Sequence, residues 1–370
     1  MTSKSSTHSL AYVPALTALF ESVGARARRA AAALGVLASA IAAAPAAAQG
    51  SAPLEFNYGL PAANHASVFV AQDLGLFEKV GLKPKFYFFQ SGAPLLAGLK
   101  AESLDVVTAG LALTFAIGQN IPLKFIFWEA NSAASEGLVV DPKSGIKSYR
   151  DIGKAKKIGA ATGTCAQVAL YLMAKKAGVD YAQLDVVNIA APLFRNAFMS
   201  GSIDAGVAWP PFSLQLRAEG YPVVSFDEEY TPPGGVCPGL TAVRPDFMKQ
   251  HPEIGLKLIQ VEAMAREAIA KNPQVGIDAY VKRLQLAPEV AKATLDRECC
   301  GRGIPSFAEQ VDPASPYSMT SKDGGLAAKL ILAAEALYAV KALPQPISAA
   351  AIREAIDPQP LLQYMKSIGK

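Results

Sequence analysis

The sequence predicts an α/β fold built on two parallel-rich sheets with flanking helices. Three observations carry that expectation. Short apolar runs of strand length alternate with segments of helical periodicity, the pattern of βαβ units. The alternation comes as two series, parted at Asp141-Pro142. From Pro245 onward the chain turns almost wholly helical, with long stretches at 252–271 and 324–340.

The elements follow in order. In the first series, strands read at 54–59, 85–89, 105–109, 123–128 and 137–140. Helices read at 65–77, broken by Gly75 and closed at Gly81, and at 94–100 and 112–118. The second series places strands at 157–160, 185–189 and 205–208, with helices at 166–176, 193–199 and 212–218. Thr231-Pro-Pro-Gly-Gly-Val-Cys-Pro-Gly reads as loop or linker because its residues favour turns. The simplest path enters one lobe, crosses to a second near Val140 and returns near Tyr230. That gives lobe one as 49–140 plus 231–370 and lobe two as 141–230.

Residues 1–48 differ from the rest. Arg26, Arg28 and Arg29 precede an Ala-rich apolar run from Ala30 to Ala44, and Ala46-Ala47-Ala48 stands before Gln49. A basic region, an apolar run and a small-x-small site in that order form a secretory signal peptide, cleaved near Ala48. No later stretch reaches the ~18 uninterrupted apolar residues of a membrane span. The leader carries Lys4 and the three arginines against Glu21, which is +3 of the total +4. The mature chain is near neutral, so nucleic-acid binding has no electrostatic footprint. About 320 residues remain, more than one core comfortably holds, and two domains are expected.

Cysteine and histidine limit the chemistry. Cys165, Cys237, Cys299 and Cys300 match no zinc spacing, and only His65 and His251 follow the leader. Catalytic triads and His-rich metal sites are poorly supplied. Neighbouring Cys299 and Cys300 do not easily bridge each other. A bridge from one of them to Cys165 or Cys237, or free buried thiols, is expected instead. No enzyme activity and no cofactor are expected.

The residues point instead to holding a ligand. Gly163-Thr164-Cys165-Ala166 and Ser91-Gly92-Ala93 each follow a strand and open a helix. Helix starts offer unpaired N–H groups and a favourable dipole to anions. Trp209 ends a strand before Pro210 and reads as an aromatic wall. Glu136 suits a ligand cation or a turn, and Asp204 suits either the ligand or the start of its strand. Arg195, one turn beyond Pro192, reads as a solvated surface residue.

Several segments recur in a familiar order: Gly75-Leu76-Phe77, Val80-Gly81-Leu82, Gln90-Ser91-Gly92, and Asp105 in Leu-Asp-Val-Val-Thr-Ala-Gly. Gly145-Ile146-Lys147-Ser148 then precedes Asp151-Ile-Gly-Lys, and Gly201-Ser-Ile-Asp204 precedes Trp209-Pro-Pro211. From about residue 54 to the C-terminus, this ordered set resembles the periplasmic solute-binding proteins of ABC importers in the nitrate/sulfonate/taurine class. Residues 131–140 and 234–244 most resemble the taurine-binding branch. The resemblance implies a type II periplasmic binding protein fold, with a cleft between two lobes for a small anionic or zwitterionic ligand. It also implies a monomer in the periplasm that docks transiently on a membrane permease. The ligand set read on this basis is Asn64, His65, Ser91, Gly92, Ala93, Leu111, Glu136, Thr164, Cys165, Ala166, Pro192, Asp204, Trp209 and Cys237.

Two departures bear on the ligand. Taurine-type binders tend to carry an acidic residue in the loop after the first strand, where this chain has Ala62-Ala63-Asn64-His65. Cys165 stands where small hydroxyl residues are usual, and a thiol is the weaker donor. A second function remains open. The pyrimidine synthases of thiamin biosynthesis share the fold and use a Cys-rich iron motif, with which the loop holding Cys237 can be compared.

Overall fold

The computed structural model describes residues 52–298 and 304–370. Among the described residues, ten strands form two five-stranded sheets. They are β1 Leu54–Pro61, β2 Leu82–Phe89, β3 Val106–Ala109, β4 Lys124–Asn131, β5 Gly137–Val140, β6 Ile158–Gly159, β7 Val186–Val187, β8 Ala205–Ala208, β9 Val223–Phe226 and β10 Pro238–Val243. The first sheet runs β2-β1-β3-β10-β4 and the second β7-β6-β8-β5-β9.

Each sheet is mixed in the same way. β2-β1-β3 and β7-β6-β8 are parallel, as expected of strands joined through helices. β10 and β5 are each antiparallel to both their neighbours. The antiparallel strand inside each sheet is therefore the first one the chain lays down after changing sheets.

Two placements differ from the sequence reading. Gly137–Val140 belongs to the second sheet, so the chain changes sheets between Asn131 and Gly137 rather than after Val140. An apolar run of four residues cannot announce which sheet it joins. β10 begins at Pro238, inside the Pro- and Gly-rich segment that reads as loop, and runs on to Val243; neither this strand nor β9 is among those the sequence predicts. Proline is tolerated as the first residue of a strand, so Pro238 does not prevent the ladder. The two connections lie side by side, with Asp227 N–H donating to Glu136 O and Glu228 N–H to Ala133 O, both at 3.0 Å.

Central strands are buried on both faces and accordingly read as continuous apolar runs. All four residues of β3, β5 and β8 are buried. In the second sheet the small residues have a steric reason. A Cβ on Gly159 would lie 2.9 Å, and one on Gly206 2.5 Å, from the Phe194 ring. In the first sheet a buried hydroxyl ladder crosses three strands, from Tyr58 through Thr108 (2.7 Å) to Thr241 (2.8 Å). Each hydroxyl thereby finds the partner that burial requires.

The C-terminal part is helical, including Ile254–Lys271 and Gly325–Ala339. The first of these packs on the Ala66–Asp73 helix and reaches the first sheet. Arg266 on it donates to Trp128 O (2.7 Å) and Glu262 (2.6 Å). Among the described residues no helix is long and apolar enough to cross a membrane. The expected signal peptide lies outside the described residues, as do Cys299 and Cys300.

Candidate functional site

A cavity of about 60 Å³ opens between the two sheets. A single buried water needs roughly 10–15 Å³ on this measure, so the space suits a small organic molecule. Its walls come from loops at strand ends. From the first sheet come Asn64 and His65 after β1, Gly92 after β2, Leu111 after β3, and Ala130 and Ser132 at the end of β4. The second sheet supplies Thr164 and Cys165 after β6 and Trp209 after β8. Cys237, Pro238 and Gly239 close the wall at the start of β10.

Three helices of eight or more residues begin here: Ala66–Asp73, Gly92–Lys100 and Cys165–Ala177. None has a side chain capping its N-terminus. Thr164 spends its hydroxyl on Ala161 O at 2.7 Å instead. An uncapped helix start leaves its first N–H groups and its dipole available to an anion. Glycine is required at Gly92, where a Cβ would lie 2.6 Å from the Ala112 Cβ. Gly163, at φ +70°, makes the turn into the third helix.

His65 is one of the buried polar residues of the wall, with Asn64, Ser132 and Thr164. Its Nδ1 lies 3.1 Å from Glu129 Oε2, and Ser67 Oγ donates to the other oxygen of that carboxylate at 3.1 Å. A carboxylate behind an imidazole fixes the ring and its tautomer. His65 Nε2 is left buried with no partner in the protein. Asn64, by contrast, donates to Ser132 Oγ at 3.4 Å. No Lys, Arg, Asp or Glu stands on the described wall.

Eight of the residues read from the sequence therefore meet at one cavity: Asn64, His65, Gly92, Leu111, Thr164, Cys165, Trp209 and Cys237. The others sit elsewhere. Ser91 is buried at the helix start beside Gly92, and Ala93 is the second residue of that helix. Ala166 is wholly buried in the core. Pro192 lies in the Ala191–Leu193 turn, off the cavity wall. Asp204 accepts from the backbone N–H groups of Lys156 and Lys157 at 2.8–3.0 Å, which ties the start of β6 to β8. Arg195 pairs with Glu219 at 2.8 Å on the surface. The residues of the wall that sequence reading missed, such as Gly110, Ala130, Ser132 and Gly239, are small and carry no signal of their own.

The cysteines correct one expectation. Cys165 and Cys237 bridge each other, with Cα atoms 5.4 Å apart and a sequence separation of 72. Cys165 consequently offers no thiol donor to a ligand. The bond joins the helix start on the second sheet to the strand entry on the first. Glu136, expected to touch the ligand, lies off the wall, fully buried. One of its oxygens and both sulfurs lie within 4.8 Å of one another. That is a three-ligand arrangement, but as a disulfide the sulfurs bring no thiolate to a metal or to iron.

Glu136 belongs to a buried acidic group. Burial and the neighbouring Asp227 carboxylate hold its pKa well above the usual range. Burial also pushes Asp227 up to about 7, although the nearby Val236 N–H and Lys329 ammonium act against it. Neither carboxylate makes a well-formed hydrogen bond. Lys329 donates to Pro233 O (2.7 Å) and Gly235 O (2.8 Å) and is itself lowered to about 8 by burial.

Two sheets of matching topology with a ligand-sized cavity between their loops define a binding-protein architecture. The chain belongs to the NMT1/THI5 like family, whose profile matches residues 62–275. It is 31% identical over 188 residues to the putative aliphatic sulfonates-binding protein of Bacillus subtilis (strain 168), covering 50% of this chain and 55% of that one. To the taurine-binding periplasmic protein of Escherichia coli (strain K12) it is 27% identical over 207 residues, 55% of this chain and 62% of that relative. The chain thus spans little more than half the length of these relatives. In fold it is similar to the alkanesulfonate-binding protein SsuA from Xanthomonas axonopodis pv. citri bound to MOPS. That match has a TM-score of 0.69 at 19% identity and covers 83% of this chain and 99% of that one.

Proposed function

We propose that the protein is the extracytoplasmic solute-binding component of an ABC importer. It captures a small organic sulfonate between two lobes, one on each sheet, and delivers it to a membrane permease. The carrying observation is the cavity itself, where three uncapped helix starts meet the unpartnered His65 Nε2. A sulfonate offers three oxygens to N–H donors and needs no lysine or arginine where helix dipoles supply the field. The described wall has no carboxylate for an ammonium group, which favours simple alkanesulfonates over taurine. The names of the relatives speak for binding rather than turnover.

The test begins with the full chain expressed in a Gram-negative host and recovered from the periplasmic fraction. Intact mass should place the mature N-terminus at Gln49. Thermal melts with methanesulfonate, MOPS, taurine, nitrate and benzoate then rank the ligands. A ligand at ~100 times its dissociation constant adds about 2.7 kcal/mol, a readable shift in Tm. Stabilisation by methanesulfonate or MOPS above the rest is the expected result. Stabilisation by none of the sulfonates, or conversion of a bound compound to product, overturns the reading.

A further inference from the structure

We propose that the Cys165–Cys237 bond is a reversible thiol–disulfide exchange site, reached by a small dithiol through the cavity, with Glu136 as proton donor to the displaced sulfur. Both cysteines line the cavity, so a small reagent that enters it meets the bond, although both residues are buried. Glu136 is fully buried, neither of its oxygens has a hydrogen-bond partner, and it lies within 4.8 Å of both sulfurs. An unpartnered buried carboxyl is costly to the fold. Burial and the Asp227 carboxylate raise its pKa well above the usual carboxyl range, toward the protonated form that a proton donor needs. This chemistry requires no particular ligand in the cavity.

The two sulfurs are not equivalent. Cys165 opens a 13-residue helix, and the Leu111 N–H lies 3.5 Å from its Sγ. Both features stabilise a thiolate, so Cys165 is the better leaving group. The reagent's thiolate, having released its proton to water, attacks Cys237 Sγ. The bond between the cysteines breaks, its electron pair leaves on Cys165, and Cys165 takes the Glu136 proton. The reagent's second thiol then returns a proton to Glu136 and attacks its own sulfur in the mixed disulfide. The reagent departs as a cyclic disulfide, and the Cys237 thiolate takes a proton from water. Two electrons have passed from the dithiol to the protein, and the two walls of the cavity are no longer covalently joined.

Asp227 and Tyr230 on the return connection interact with this carboxyl, and Lys329, Glu228 and Glu229 act in turn on those two groups. A proton-transfer role predicts a pH profile that a merely structural carboxyl would not give. The experiment exposes the folded mature protein to dithiothreitol from pH 5 to 9, quenches in acid, alkylates and maps the two cysteines by peptide mass. The bond should open without denaturant and with unchanged circular dichroism. Glu136→Gln should slow opening at pH 7 by roughly tenfold or more and flatten the pH profile. In single variants, Cys165 in Cys237→Ser should alkylate faster than Cys237 in Cys165→Ser. Opening only in guanidinium, or equal rates for wild type and Glu136→Gln at every pH, would overturn the proposal. Should Glu136→Gln fail to fold, the wild-type response to dithiothreitol and the ranking of the two serine variants still decide it.

Discussion

Replacing Asp227 by asparagine should change the pH dependence of stability more than stability itself. The carboxyl is fully buried, neither of its oxygens makes a well-formed hydrogen bond, and burial raises its pKa from the ordinary 3.8 to about 7. A raised acid pKa means that the native state holds a proton the unfolded chain has already lost. Stability therefore falls as pH rises from about 4 through about 7, because the unfolded state binds fewer protons. Below pH 4 both states are protonated and the group contributes no pH dependence. Above pH 7 the native state must carry the buried charge, at a cost of about 4 kcal/mol for a shift of roughly three units at 1.36 kcal/mol each. Between pH 5 and pH 8 the wild type should thus lose about 3 kcal/mol more than Asp227→Asn. Guanidinium unfolding at pH 5, 6, 7 and 8, with the disulfide intact, measures the difference by linear extrapolation. Glu136 titrates in the same direction and leaves some slope in both proteins. Parallel stability curves for the two proteins across this range would refute the reasoning.

Two further substitutions separate the cavity from the scaffold. Trp209→Ala removes an aromatic wall and should weaken binding of the best-ranked sulfonate by about 10- to 100-fold. Arg195→Ala breaks only an exposed pair with Glu219 and should change affinity by less than about 2-fold. Titration calorimetry with circular dichroism as the folding control compares them, and equal losses would remove Trp209 from the site. Asp204→Ala leaves the Lys156 and Lys157 N–H groups without their acceptor and should cost about 1–3 kcal/mol of stability with affinity unchanged. An unaltered unfolding midpoint would show that this tie is dispensable.

Some of the cavity was legible in the sequence because helix starts announce themselves locally. Gly92, Thr164 and Cys165 follow apolar runs and precede helical periodicity, so chain order alone brings each to the end of a strand. Trp209 was legible for the same reason, as an aromatic residue between a buried strand and a proline pair. Glu136 and Asp204 were harder to place, because a lone acidic residue beside a strand gives no sign of whether it meets a ligand, a backbone or the core. The structure gives Asp204 to the backbone of Lys156 and Lys157 and buries Glu136 against the disulfide.

The sequence by itself determined the α/β class, two series of strands, the helical C-terminal part and the family resemblance. Those features rest on periodicity and composition, which act over a few residues and leave local traces. Only the tertiary structure decided that β5 joins the second sheet, that Cys165 bonds to Cys237 at a separation of 72 positions, and that Glu129 stands behind His65. Each of these joins residues far apart in the chain. The energy that selects them comes from burial, strand pairing and hydrogen bonding among groups that meet only after folding, so no neighbouring residue records the choice.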